Sequence, residues 1–130
     1  MVRPKAMDHI ALKVTDMKRA LHFYQDILGL ELRRHSGPND QGGESAVLQA
    51  GKQAIDLFSR PDFVMSDKDK PVGMDHLCLI MDVNSVDGLI EHLQQAQVEI
   101  FWGPVERQHS TSVYVYDPDG VHVELRVDAS

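Results

Sequence analysis

Four side chains able to hold a metal ion fall into two pairs with nearly equal spacing. His9 and Asp56 lie 47 residues apart, and His76 and Glu124 lie 48 apart. Each His closes the same three-residue opening, in MDHIALKV from residue 7 and MDHLCLIM from residue 74. Two imidazoles and two carboxylates can bind a divalent cation and leave coordination positions for water or substrate. The donors are nitrogen and oxygen, with no soft sulfur among them, so Fe(II), Mn, Ni, Co and Zn all fit. A single His on a strand is more often a hydrogen-bonded structural residue than a ligand. Four ligand-type residues in duplicate positions favour the metal, because charged groups are seldom buried without partners.

The elements that must position these residues repeat as well. In DMKRALHFYQDILG, Met17, Ala20, Leu21, Tyr24, Ile27 and Leu28 mark one face of a 3.6-residue period. Thr15 or Asp16 can cap this helix, and Gly29 can end it in a left-handed turn. In NSVDGLIEHLQQAQ, Val86, Leu89, Ile90, Leu93 and Ala96 keep the same spacing, with Asn84 or Ser85 as the cap. Short strand-like runs follow each helix: LELRRHS, ESAVLQA and QAIDLFS in the first half, VEIFW, TSVYVY and VHVELRV in the second. The fold class is therefore α+β, with two tandem βαβββ modules at about 7–59 and 74–127. RPDFVMSDKDKPVG, polar and rich in Pro and Asp, reads as a linker over about 60–73.

Side chains alternate faces along a strand. Ile10, Leu12 and Val14 face the first helix, which leaves His9 on the opposite side. Ile55 and Leu57 face it too, which leaves Asp56 and Phe58 opposite. The same reasoning sets His76 against Leu77 and Leu79, and Glu124 against Val123 and Leu125. Each half thus puts one His and one carboxylate on the face away from its helix. Curved sheets meeting through those faces would gather all four in one cavity.

Composition narrows the partners. The net charge is −7 with scattered Lys and Arg, which weighs against nucleic acid or an anionic membrane. No apolar run is long enough to span a bilayer, and a single cysteine, Cys78, points to a reduced, cytoplasmic setting.

The chain resembles the vicinal oxygen chelate superfamily of glyoxalase I, bleomycin-resistance and fosfomycin-resistance proteins and extradiol dioxygenases. The resemblance rests on MDHIALKVTDMKRALHFYQDILGL, MDHLCLI and SVYVYDPDGVHVEL, and spans residues 7 to 127. It implies a single glyoxalase/dioxygenase-like domain over 1–130. It also implies that His9, His76 and Glu124 are the ligands that metal-dependent members share, with Asp56 at the place of the fourth ligand of glyoxalase I, usually Glu. His122 stands where Asn is common after DPDG. The chemistry implied is Lewis-acid stabilisation of charge on a substrate that chelates the metal through two adjacent oxygens.

A glyoxalase-like lyase or isomerase is the expected activity, with Asp56 or Glu124 moving the substrate proton. Extradiol ring cleavage at Fe(II), held by His9, His76 and Glu124, is the alternative, and a metal-free small-molecule (drug) binding protein is the third. Members of this length commonly form homodimers with shared sites. His9 and Asp56 of one subunit would then meet the other pair on its partner. Tyr114 shares a strand face with Ser112 and is expected to look into the cavity. His109 and Arg107, on the loop before that strand, are candidates to supply a proton or bind an anionic group. Ser112 and Phe58 complete the expected substrate-binding set, and Trp102 is a candidate for the pocket wall.

Overall fold

The computed structural model describes residues 2–61 and 75–129. The chain divides into two compact units, Met1–Asp67 and Lys68–Ser130. From residue 62 on, the expected linker lies outside the described residues, as does Met74 at the head of the second repeat.

The first unit runs β1 (His9–Lys13), α1 (Met17–Leu21), β2 (Glu31–Ser36), β3 (Glu44–Ala50) and β4 (Gln53–Ser59). Its sheet order is β1-β4-β3-β2, with β1 parallel to β4 and the other neighbours antiparallel. Asp16 caps α1 by accepting from the Arg19 N–H at 3.1 Å. The expected regular helix is corrected in its second half, where His22–Ile27 forms a π-helical segment. The Leu28 N–H reaches back five residues to the Phe23 carbonyl at 2.9 Å. This wider turn brings Phe23 inside with Tyr24, adding a residue to the buried stripe that a 3.6-residue period omits. Gly29, at φ +80°, closes the segment in a left-handed turn.

The second unit runs β5 (Leu77–Ile80), α2 (Val86–Gln95), β6 (Ile100–Glu106), β7 (Ser110–Tyr116) and β8 (His122–Asp128). Its order is β5-β8-β7-β6, the same topology with the same parallel first pair. Ser85 caps α2, accepting from the Gly88 N–H at 3.0 Å. At the DPDG turn, the Asp117 carboxylate accepts from the Asp119 and Val121 N–H groups, which fixes Tyr116 opposite His122. The strand-like run VEIFW is corrected here: β6 continues beyond it through GPVE to Glu106. Register shifts on either side of Trp102 let this edge strand absorb Gly103 and Pro104, and Pro104 needs no ladder partner for a missing N–H.

In each unit the helix-facing side of the sheet is the core. Leu48, Leu57, Leu93 and Leu125 are fully buried. Burying a side chain of that size stabilises the fold by about 2 kcal/mol, and truncating Leu125 to Ala would cost about 2–5 kcal/mol. The opposite faces carry the paired His and carboxylate side chains. No helix of the described residues is long and apolar enough to cross a membrane.

Candidate metal-binding half-sites

The two modules hold their ligand-type residues in one register. Asp56 pairs with Ala11, two residues beyond His9, and Glu124 pairs with Cys78, two residues beyond His76. Neighbours in a parallel pair share a face, so each His and carboxylate meet across adjacent strands. His9 Nε2 lies 3.6 Å from Asp56 Oδ2, and His76 Nε2 lies 2.9 Å from Glu124 Oε1.

The other imidazole nitrogens are also held. His9 Nδ1 donates to Asp8 at 2.7 Å, and His76 Nδ1 donates to Asp75 at 2.8 Å. Strand periodicity does not single out these Asp residues. They sit one residue before each His, ahead of the strand, where face alternation gives no guide. The signal is present in the repeated MDH itself. A carboxylate on Nδ1 fixes the ring's orientation and leaves Nε2 as the nitrogen for a metal.

Electrostatics follow from these contacts. The His76 pKa is raised, first by the Asp75 hydrogen bond and, against the opposing effect of burial, by Glu124. The His9 pKa is raised by the Asp8 hydrogen bond and then by the Asp56 charge. Burial pushes the Glu124 carboxyl up, but the Ser112 hydrogen bond and then His76 outweigh it, so its pKa is lowered.

The second module adds partners that the first lacks among the described residues. The fully buried Ser112 hydroxyl donates to Glu124 Oε2 at 2.7 Å. Arg107 donates to the Tyr114 hydroxyl at 2.9 Å, and its other terminal nitrogen lies 3.8 Å from Glu124 Oε2. Arg107, Ser112, Tyr114, His76 and Glu124 thus form one cluster. His109 is exposed at the turn before β7, outside that cluster. Phe58 is exposed on the Asp56 face of β4. Cys78 shares the Glu124 face, but desolvation and then the Glu124 charge raise its pKa, so the thiol stays protonated at neutral pH.

The donor chemistry fits a divalent cation. Two ligands each about 2.1 Å from one ion, at 90–110°, are separated by about 3.0–3.4 Å. The His–carboxylate separations of 3.6 and 2.9 Å bracket that range. Each pair supplies two donors, and among the described residues no group of three or more His, Cys, Asp or Glu side chains is placed to hold one ion. A cavity of about 270 Å³ in the first module is lined by Asn39, Gln41, Gly43, Arg60 and Pro61, and contains none of these donors.

The family model of the Glyoxalase/Bleomycin resistance protein/Dioxygenase superfamily matches residues 6–125. A virulence protein of Salmonella typhimurium is 29% identical over 92% of this chain and 81% of its own length. The metallothiol transferase FosB of Staphylococcus epidermidis is 27% identical over 92% and 80%. A lactoylglutathione lyase of Salmonella typhimurium is 24% identical over 90% and 88%. The crystal structure of a glyoxalase/dioxygenase from Nostoc punctiforme aligns with a TM-score of 0.80 at 27% identity, covering 100% of this chain and 97% of that one.

Proposed function

The chain belongs to the glyoxalase/bleomycin resistance protein/dioxygenase superfamily, and we propose that it is a metal-dependent lyase or isomerase of glyoxalase type. Its substrate is a small molecule with two adjacent oxygens, and its ligands are His9, Asp56, His76 and Glu124. The observation that supports this reading is the duplicated Asp–His–carboxylate arrangement, Asp8–His9–Asp56 and Asp75–His76–Glu124. When bound, a divalent cation supplies Lewis-acid stabilisation of negative charge on the substrate oxygens.

The chain's own groups divide the remaining work. His9 and His76 present Nε2 while Asp8 and Asp75 hold Nδ1–H. Glu124 is fixed by Ser112 and flanked by Arg107, so it serves as a stationary ligand. Asp56 has a looser hold, His9 at 3.6 Å, and is the carboxylate assigned to carry the substrate proton. Arg107 offers a cation to an anionic group of the substrate. Because two donors are too few, the proposal includes a homodimer in which each pair meets the complementary pair of a second copy. The proposed compartment is the cytoplasm.

Elemental analysis of untagged protein tests the metal, with about one divalent ion expected per complete set of four ligands. His76→Ala and Glu124→Ala should each abolish that stoichiometry, and Asp75→Ala should weaken affinity about 10- to 100-fold. Unchanged metal content in all three sinks the assignment. The activity is then assayed with the hemithioacetal of a thiol and a 2-oxoaldehyde, and separately with a catechol in an oxygen electrode. Oxygen-independent turnover of the adduct is expected. Stoichiometric oxygen uptake on catechol would replace the lyase with a ring-cleaving dioxygenase, and binding without turnover or metal would leave a binding protein.

A further inference from the structure

The modules share a donor register, but the side chains beside the donors differ. In the first module, the row across the sheet through the carboxylate reads Ala11, Asp56, Val47, Arg34. In the second it reads Cys78, Glu124, Tyr114, Trp102. Directly paired residues share a face, so Tyr114 and Trp102 stand on the face that carries His76 and Glu124. The β6 register shift between Ile100 and Trp102 breaks the alternation and turns Phe101 to this face as well.

The rings form a continuous surface. Trp102 stacks on Tyr114 with centroids 4.5 Å apart and planes 28° apart. Phe101 stacks on Tyr116 at 4.2 Å and 19°, and lies 5.0 Å from the His122 ring. The His76 ring meets Tyr114 at 5.9 Å, edge to face. This surface is not the core of the unit, which Val113, Val115, Val123 and Leu125 build on the other face. Trp102 remains 54% exposed and Tyr116 42%. Trp102 stacks on the Tyr114 ring that meets His76, Tyr116 pairs with His122 two residues before Glu124, and the Arg107 guanidinium touches the Tyr114 hydroxyl.

We infer that this face selects substrates carrying a planar conjugated ring, which stacks on Trp102 and Tyr116 while an anionic, oxygen-bearing end reaches Arg107 and the donor pair. The inference rests on the site proposed above and names the class of molecule it takes. Stacking favours flat π-systems over saturated rings of equal size, and a cation beside the Tyr114 hydroxyl favours a carboxylate.

Trp102 is the only tryptophan, so its fluorescence reports the site directly. Chelator-treated full-length chain is titrated with phenylglyoxylate and with cyclohexylglyoxylate, which share a 2-oxo acid and differ in ring planarity. Phenylglyoxylate should quench Trp102 and bind about tenfold more tightly. Tyr116→Leu, which keeps the reporter, should cut that preference at least in half. Trp102→Leu, followed by calorimetry, should abolish it. Both side chains are exposed, and unchanged circular dichroism melting verifies that the variants fold. Equal affinities, or a preference that survives Trp102→Leu, would overturn the inference. So would a Trp102 spectrum that shifts with protein concentration and ignores both acids, which assigns the face to a second copy. Added Zn or Mn separates the two readings. Ring preference with no effect of metal on either acid counts against the metalloenzyme and leaves this inference standing. Tightening by metal without ring preference does the reverse.

Discussion

The two oxygens of Glu124 have different surroundings, and this asymmetry sets what the residue can do. Oε2 accepts from a buried hydroxyl, while Oε1 faces His76. Asp56, one methylene shorter, has no equivalent hydroxyl bond among the described residues, although Ser45 occupies the register position that matches Ser112. Asp56→Asn keeps an oxygen donor but cannot take a proton, so turnover should fall about 10²–10⁴-fold with most of the metal retained. Glu124→Gln should instead lose metal first. Parallel measurement of metal content and kcat checks this, and equal metal loss in both variants would contradict the division of roles. The same contacts govern stability of the metal-free protein. The His76 contribution is complete below its ordinary value of 6.5 and is lost as pH rises through its raised folded value. The Glu124 contribution is complete above its ordinary value of 4.5 and is lost as pH falls through its lowered folded value. Melting temperature should therefore peak between those two values, and His76→Gln should flatten most of the alkaline-side fall. His9, more exposed, contributes little to it. The proximity of His to carboxylate in each module is legible in the sequence, since strand alternation fixes facing. Asp8 and Asp75 are legible only through the repeated MDH, because contacts between adjacent residues ahead of a strand obey no periodicity.

At the scale of elements, the sequence yields both sheets and both helix starts, because caps, apolar periods and turn residues agree there. It misses the π-helical segment and the full extent of β6. In both, one inserted residue alters the period locally, and Phe23 and Phe101 change faces as a result. Two glycines show how differently such irregularities are held. Gly29 has φ +80°, and a Cβ there would meet open space, so Gly29→Ala costs about 1 kcal/mol for backbone conformation alone. Gly103 has φ +100°, and a Cβ there would lie 2.7 Å from the Ser112 carbonyl oxygen. Gly103→Ala should destabilise by at least about 2–3 kcal/mol, through conformation and through forced separation of β6 from β7. Chemical denaturation of the two variants checks the order. Gly103→Ala should also shift the Trp102 emission, because Trp102 is its neighbour and Gly29 lies in the other unit.

For the whole molecule, the proposed exchange of half-sites makes a prediction that no single variant can. His9→Ala and Glu124→Ala chains, each inactive alone, should regain activity when mixed and allowed to exchange. Random pairing would leave about a quarter of the sites with all four donors. No recovery, with differently tagged chains co-purifying as mixed dimers, would mean that each chain completes its own site. A final consequence comes from strand order. β1 and β5 each have a single hydrogen-bonded neighbour in their own sheets among the described residues, and β5 is only four residues long. The histidines therefore ride on or just ahead of edge strands, while the carboxylates sit on interior strands. Amide deuterium uptake should be faster at Leu77–Ile80 than along β7 and β8, and should slow there when divalent ion is added. Ion release would then be timed by fraying of a sheet edge, with the carboxylate half of each donor pair left in place.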